Sequence, residues 1–195
     1  MKVQVFKFTG LSPLLMANIE SVNRDLPVLK LGTKPNSGDI EKIAEGMTYR
    51  DENGHLYLPT QAFQSSLLNG SAGTKFPGSR QSPRTIFQAI VFPSEPRAKL
   101  IDSNGEFITD FEIQVDSGVN TVGKKSSRII VVRPRINEWG CLIPFEIDDE
   151  FAPSNFEEFL SALITIWNRS GRMAGVGAWR PEKRGPHGKY RVELA

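Results

Sequence analysis

Apolar and polar residues alternate from Val3 to Phe8 and the run stops at Gly10, which predicts a first strand with one buried face. Leu11 to Val22 is apolar enough to continue into a core, although Ser12-Pro13 interrupts it. A polar loop follows from Thr33 to Gly38, and Asp39 is placed to cap a short helix carrying Ile40, Ile43 and Ala44. Asp51-Glu52-Asn53-Gly54 has turn chemistry and precedes a strand from His55 to Leu58. Pro59-Thr60 then opens a helix over Gln61 to Asn69, with Thr60 as N-cap and Gly70 as its end.

Ser71 to Arg84 is rich in Gly, Ser, Pro and Lys, has no face to bury, and reads as an exposed loop or arm. Ile86 to Phe92 reads as a strand, and Pro93 to Thr121 carries two short apolar runs around an Asn104-Gly105 turn. Arg128 to Val132 and Cys141 to Ile147 read as strands paired across Asn137 to Gly140. Ser154 and Glu157 form a capping box for a helix from about Phe156 to Arg169. Phe159, Leu160, Leu163, Ile164 and Trp167 make its apolar stripe. A glycine-rich run, Gly171 to Gly188, leads to a closing strand, Tyr190 to Leu194. Strands and helices intermingle without a regular βαβ rhythm, so the expected class is α+β: a mostly antiparallel sheet with helices on one side. No repeat or boundary divides the 195 residues, which read as one domain with flexible insertions near 71–84 and 116–127.

No stretch approaches the roughly 20 apolar residues of a membrane span, and the N-terminus lacks a signal-peptide apolar block. Cys141 is the one cysteine, reads as a buried strand residue, and fits a reducing compartment. A cytoplasmic protein without a membrane partner is the expectation. The formal charge is only +2, but it is unevenly placed. Lys124, Lys125, Arg128, Arg133 and Arg135 form one basic zone. Arg172, Arg180, Lys183, Arg184 and Lys189 form a second, against the single acid Glu182. Acids from Glu146 to Glu158 lie between them.

In the second zone, Gly175 and Gly177 bring backbone amides within reach of a polyanion, and Trp179 and Tyr190 offer faces for bases. With Arg172, Arg180, Lys183, Arg184, His187 and Lys189 alongside, the mixture suits a single-stranded nucleic acid. The competing explanation is structural: the glycines turn the chain and Trp179 closes the core.

The run GVGAWRPEKRGPHGKYRVEL, after a helix, resembles the C-terminal signature of the RAMP superfamily, the CRISPR-associated RNA-binding proteins. Upstream, DENGHLYLPTQAFQSSLLN resembles the turn, strand, proline and helix that backbone subunits of CRISPR effector complexes place after their first strand. Those subunits usually follow the proline with small residues and a glycine-lysine pair. Here Thr60, Gln61, Ala62 and Ser65-Ser66 stand instead, with no basic residue. The resemblance implies a ferredoxin-like or RRM-like fold with inserted loops or a hairpin, and RNA as partner. It also gives Asp116 to Ser127 and Arg128 to Arg135 the place of an extended hairpin or thumb, contacting phosphates.

Chemistry for catalysis is sparse. His55 and His187 are the two histidines, no cluster has metal-ligand spacing, and no phosphate-binding or nucleophile-elbow motif occurs. No catalytic residue, metal or cofactor is therefore expected. Three functions compete: a subunit that coats single-stranded RNA or DNA, in a CRISPR effector or a viral or mobile-element relative; an endoribonuclease using His187, His55 or Asp39; and a viral assembly factor. The acidic stretch meeting the basic zone of another copy would allow self-association, and other ribonucleoprotein subunits are further expected partners.

Overall fold

The computed structural model describes all residues except 19–20, 22–25, 28, 30–34, 123–124 and 153; for 119–122 and 125–127 it describes the backbone alone. Lys124 lies outside the described residues, as do residues 33 and 34 of the expected polar loop and the side chain of Lys125.

Four strands form the principal sheet: β1 (Lys2–Gly10), β4 (Val91–Pro93), β8 (Gly140–Ile147) and β9 (Tyr190–Leu194). Their spatial order is β4-β8-β1-β9, and every neighbouring pair is antiparallel. Helix α2 (Thr60–Gly70) lies between β1 and β4 in the chain, and α4 (Phe156–Met173) between β8 and β9. This βαββαβ course is ferredoxin-like, as expected of an α+β chain.

Alternation along the strands sends one face to the helices. Phe6 and Phe8 of β1, Cys141, Ile143, Phe145 and Ile147 of β8, and Tyr190 and Val192 of β9 are buried. Phe6, Phe8 and Phe145 pack on Trp167 of α4 at ring-centroid distances of 4.9 to 5.2 Å, and Phe8 meets Phe63 of α2 at 4.7 Å. Val3 and Val5 belong to the outer face and remain exposed.

Several local expectations give way. Asn36, not Asp39, caps α1 (Ser37–Gly46), its side chain accepting from the Gly38 amide. Pro59, not Thr60, takes the N-cap position of α2 and has no polar atom to cap with, while the Thr60 hydroxyl, already inside the helix, donates to the Glu95 carbonyl at 2.5 Å. The segment 71–84 does bury a side chain: Phe76 is 2% exposed and stacks on Phe159 at 5.5 Å. Most of 86–92 is helix α3 (Pro83–Ile90), capped by Ser82, and only Val91 and Phe92 are strand, at the start of β4. Asn155 rather than Ser154 caps α4, accepting from the Glu158 amide at 3.0 Å. In its stripe Ile166 is buried, while Ile164 is partly exposed.

Strands 128–132 and 141–147 do not pair with each other. The first belongs to β7 (Lys125–Ile136), which pairs along its length with β6 (Glu112–Val122), from Glu112↔Arg135 to Val122↔Lys125. This long ribbon joins the short β2 (Leu14–Leu15) in a second sheet, order β2-β7-β6. Helix α1 packs on the ribbon through Ile43 and Ala44 against Val132. Strands β3 (Tyr57–Pro59) and β5 (Arg97–Lys99) form a separate pair.

Candidate nucleic-acid interface

The glycine-rich run is stitched to the turn after β1. The Val176 amide donates to the Gly188 carbonyl at 2.9 Å, Ala178 to Leu15 at 2.8 Å, Gly188 to Pro13 at 2.9 Å, and Leu11 to Lys189 at 2.7 Å. Because Leu15 of β2 in turn pairs with Arg135 of β7, the C-terminal loop and the ribbon share β2 as a common brace. Two segments some forty residues apart in sequence are thereby set side by side.

Gly175 and Gly177 have φ of +65° and +77°, conformations that L side chains rarely adopt. A methyl on Gly177 would stand 2.5 Å from the Leu15 carbonyl oxygen, and one on Gly175 2.9 Å from that of Gly188. Protein therefore occupies the space these glycines leave, and their structural role is complete without a ligand. Trp179 has a φ of +48°, a costly setting for a bulky residue, and it is only partly buried. It does not close the core, whereas Tyr190 is fully buried and bonded to the Ser66 hydroxyl at 2.8 Å, which removes it as a stacking face.

The guanidinium of Arg133 lies 5.4 Å from the Trp179 ring centroid. Arg133 and Arg135 alternate onto one face of β7, with Gln114 of β6 opposite Arg133 in register. Four polar atoms here are buried without a hydrogen-bond partner among the described residues: Gln114 Oε1, Arg133 Nη1, Arg135 Nε and His187 Nδ1. The amide nitrogen of Gln114 is committed to Asp116 Oδ2 at 2.7 Å. Burial presses the Arg133 pKa below its ordinary value, and the Asp116 carboxylate works against that. Burial and the positive field of Arg135 likewise lower that of His187. The Pro13 carbonyl and Asp116 oppose the shift, and Arg133 adds to it.

The other expected residues are not gathered with these. Arg128 is exposed and stands on the alternate face of β7. Arg172 is exposed in the last turn of α4. Arg180 is a brace: its guanidinium bonds Glu182 at 2.7 and 2.9 Å and the Gly177 carbonyl at 3.0 Å. Asn69 of α2 also bonds Glu182, at 2.9 Å, so the recess of about 190 Å³ between α2 and the loop is lined by polar groups paired with one another. Lys183 and Arg184 are exposed around a 3-10 turn, Pro181–Lys183, and Lys189 is half-buried. Gln114 and Asp116 were not anticipated; their only signal was polar alternation within β6.

His55 is held elsewhere. The buried Asp51 carboxylate accepts from the Asn53 and His55 amides at 3.0 and 2.9 Å, and lies 3.0 Å from Lys99 Nζ and 3.3 Å from His55 Nδ1. Burial raises the Asp51 pKa, but Lys99 and the two amides outweigh it and hold the group down to about 2. This arrangement fastens the turn before β3 to β5. Asp39 is a partly buried residue of the first turn of α1.

No protein-family model matches the chain, and no curated protein does. Among solved structures, a chain of the cryo-EM structure of the type III-B Cmr-beta complex bound to cognate target RNA is 12% identical, with a TM-score of 0.46. The match covers 100% of this chain and 59% of that one. A chain of a Cas6 product complex is 13% identical, with a TM-score of 0.31, over 97% of this chain and 51% of that one. The chain thus spans little more than half the length of each.

Proposed function

We propose that this protein binds single-stranded nucleic acid, RNA in the first place, along the junction of the β6–β7 ribbon and the glycine-rich loop. One observation carries the reading: Arg133 and Arg135 of the ribbon meet Trp179 and His187 of the C-terminal loop at that junction, with the Arg133 guanidinium 5.4 Å from the ring centroid of the partly exposed Trp179. Fixed cations beside an accessible aromatic face serve phosphates and unpaired bases together, a pairing that duplex binding does not require. The sequence resemblance to RAMP proteins favours RNA over DNA, and a place as a strand-coating subunit of a CRISPR-type effector or a viral relative of one.

The test is competition among a labelled single-stranded RNA, its DNA counterpart and an RNA duplex for protein cleared of copurified nucleic acid by nuclease. Preference for the single strands supports the reading. Absence of binding to either single strand at low salt overturns it.

A further inference from the structure

Resting on that reading, we infer that the base of the β6–β7 ribbon is a seat for one ribonucleotide: Arg133, Arg135 and His187 take its phosphate, and Gln114 takes its 2′-hydroxyl. The argument begins with what the chain leaves unsatisfied. A buried polar atom without a partner is costly, so four of them on β6, β7 and the C-terminal loop, with Gln114 opposite Arg133 in register and His187 in the field of both arginines, call for a ligand of matching polarity.

The polarity can be read atom by atom. Arg133 Nη1 and Arg135 Nε are donors only, and a phosphate oxygen is their natural acceptor. Gln114 differs. Its amide nitrogen is fixed by the Asp116 carboxylate, which only accepts, so Oε1 is the free end and needs a donor. A ribose 2′-hydroxyl, next to the phosphate in a strand, supplies that donor, and deoxyribose does not. Trp179 stands beside the seat through its contact with Arg133, offering a face to the adjoining base.

His187 gives the seat a proton signature. Arg133 and Arg135 of β7 disfavour its charge, as does burial, while Asp116 of β6 and the Pro13 carbonyl of the β1–β2 turn favour it. Without a bound phosphate the ring is thus neutral near pH 7. A phosphate reverses the local field, so filling the seat draws a proton onto the ring. Affinity then rises as pH falls through the range in which the ligand-bound ring takes up its proton, and levels off once the free protein also protonates.

Calorimetric titration with a 5′-hydroxyl oligouridylate, in buffers of different ionisation heat, tests this, since the oligomer lacks the phosphomonoester that titrates near about pH 6. We expect uptake of about one proton per chain by the wild type and none by His187→Gln. Arg135→Gln should lower affinity at least tenfold, about 1.4 kcal/mol. Gln114→Leu should erase the preference for the ribo- over the deoxyribo-oligomer. Where an interior phosphate fills the seat, adding a 5′-phosphate leaves affinity unchanged; where a strand end fills it, affinity rises.

Zero proton uptake by a wild type that binds, with no ribose preference, overturns the seat and leaves strand binding standing. A wild type that binds no oligomer removes both. Should Arg135→Gln fail to fold, the wild-type proton count and His187→Gln decide the matter.

Discussion

Trp179 is strained where it stands. A left-handed φ on a bulky residue costs about 1–2 kcal/mol, and the surrounding loop sustains it at a position that leaves the ring partly open. Trp179→Gly removes the strain together with the ring's packing, so stability should change by no more than about 1 kcal/mol. Single-strand affinity should still fall about tenfold, the scale of one lost base stack. Thermal melting and fluorescence anisotropy on the same samples measure both. Asp51 offers a separate test through acid. Its folded pKa of about 2 lies below the unfolded value near 3.9, so its contribution is complete above about pH 5 and drains away as pH falls through 2. The stability gap between wild type and Asp51→Asn should therefore shrink steadily between about pH 5 and 2 in denaturant titrations. A constant gap would mean that the carboxylate charge contributes nothing.

Helix α4 shows how an element is legible in outline and not in its ends. Its stripe of Phe159, Leu160, Leu163 and Trp167 marks the helix from periodicity alone, but two adjacent residues, Ser154 and Asn155, both suit the N-cap, and only geometry chooses the second. Asn155→Ala should cost about 1 kcal/mol of stability and Ser154→Ala almost nothing. Equal losses would contradict the assignment. Other elements were less visible for physical reasons. Residues 83–90 carry a Ser-Pro helix start, but eight residues with Ile86, Phe87 and Ile90 apolar do not separate helix from strand by period. Strand β6 contains Asp116, Ser117, Gly118 and Asn120, polar and glycine residues that in sequence mimic a loop. β7 and β8 looked like partners because they are neighbours in sequence. In the fold, the buried face of β8 requires a place between β1 and β4, and the Gly10 amide bonds the Trp139 carbonyl at 2.8 Å as the chain turns into it.

At the scale of the whole molecule, the ferredoxin-like sheet order could not be read from pattern, since strand partners are long-range choices; it was implied by the resemblance and is realised in the fold. The site was half visible. Both basic zones could be marked from charge, but which cations converge depends on strand alternation: Arg133 and Arg135 share a face, and Arg128 points away. Arg180 is consumed by Glu182, and Asp149 of the acidic stretch by Lys2 at 3.4 Å, so neither is free for the role charge alone would give it.

The central claim is that the ribbon and loop together hold a single strand through its phosphates, and the salt dependence of binding tests it most directly. Anisotropy of a labelled single-stranded RNA, titrated between about 50 and 200 mM salt, should give a straight fall of log affinity against log salt. The slope should be about −0.7 for each phosphate neutralised, and should flatten by about one such step in Arg133→Gln and again in the double variant with Arg135→Gln. Binding that ignores salt, or a slope that both substitutions leave unchanged, would contradict the account.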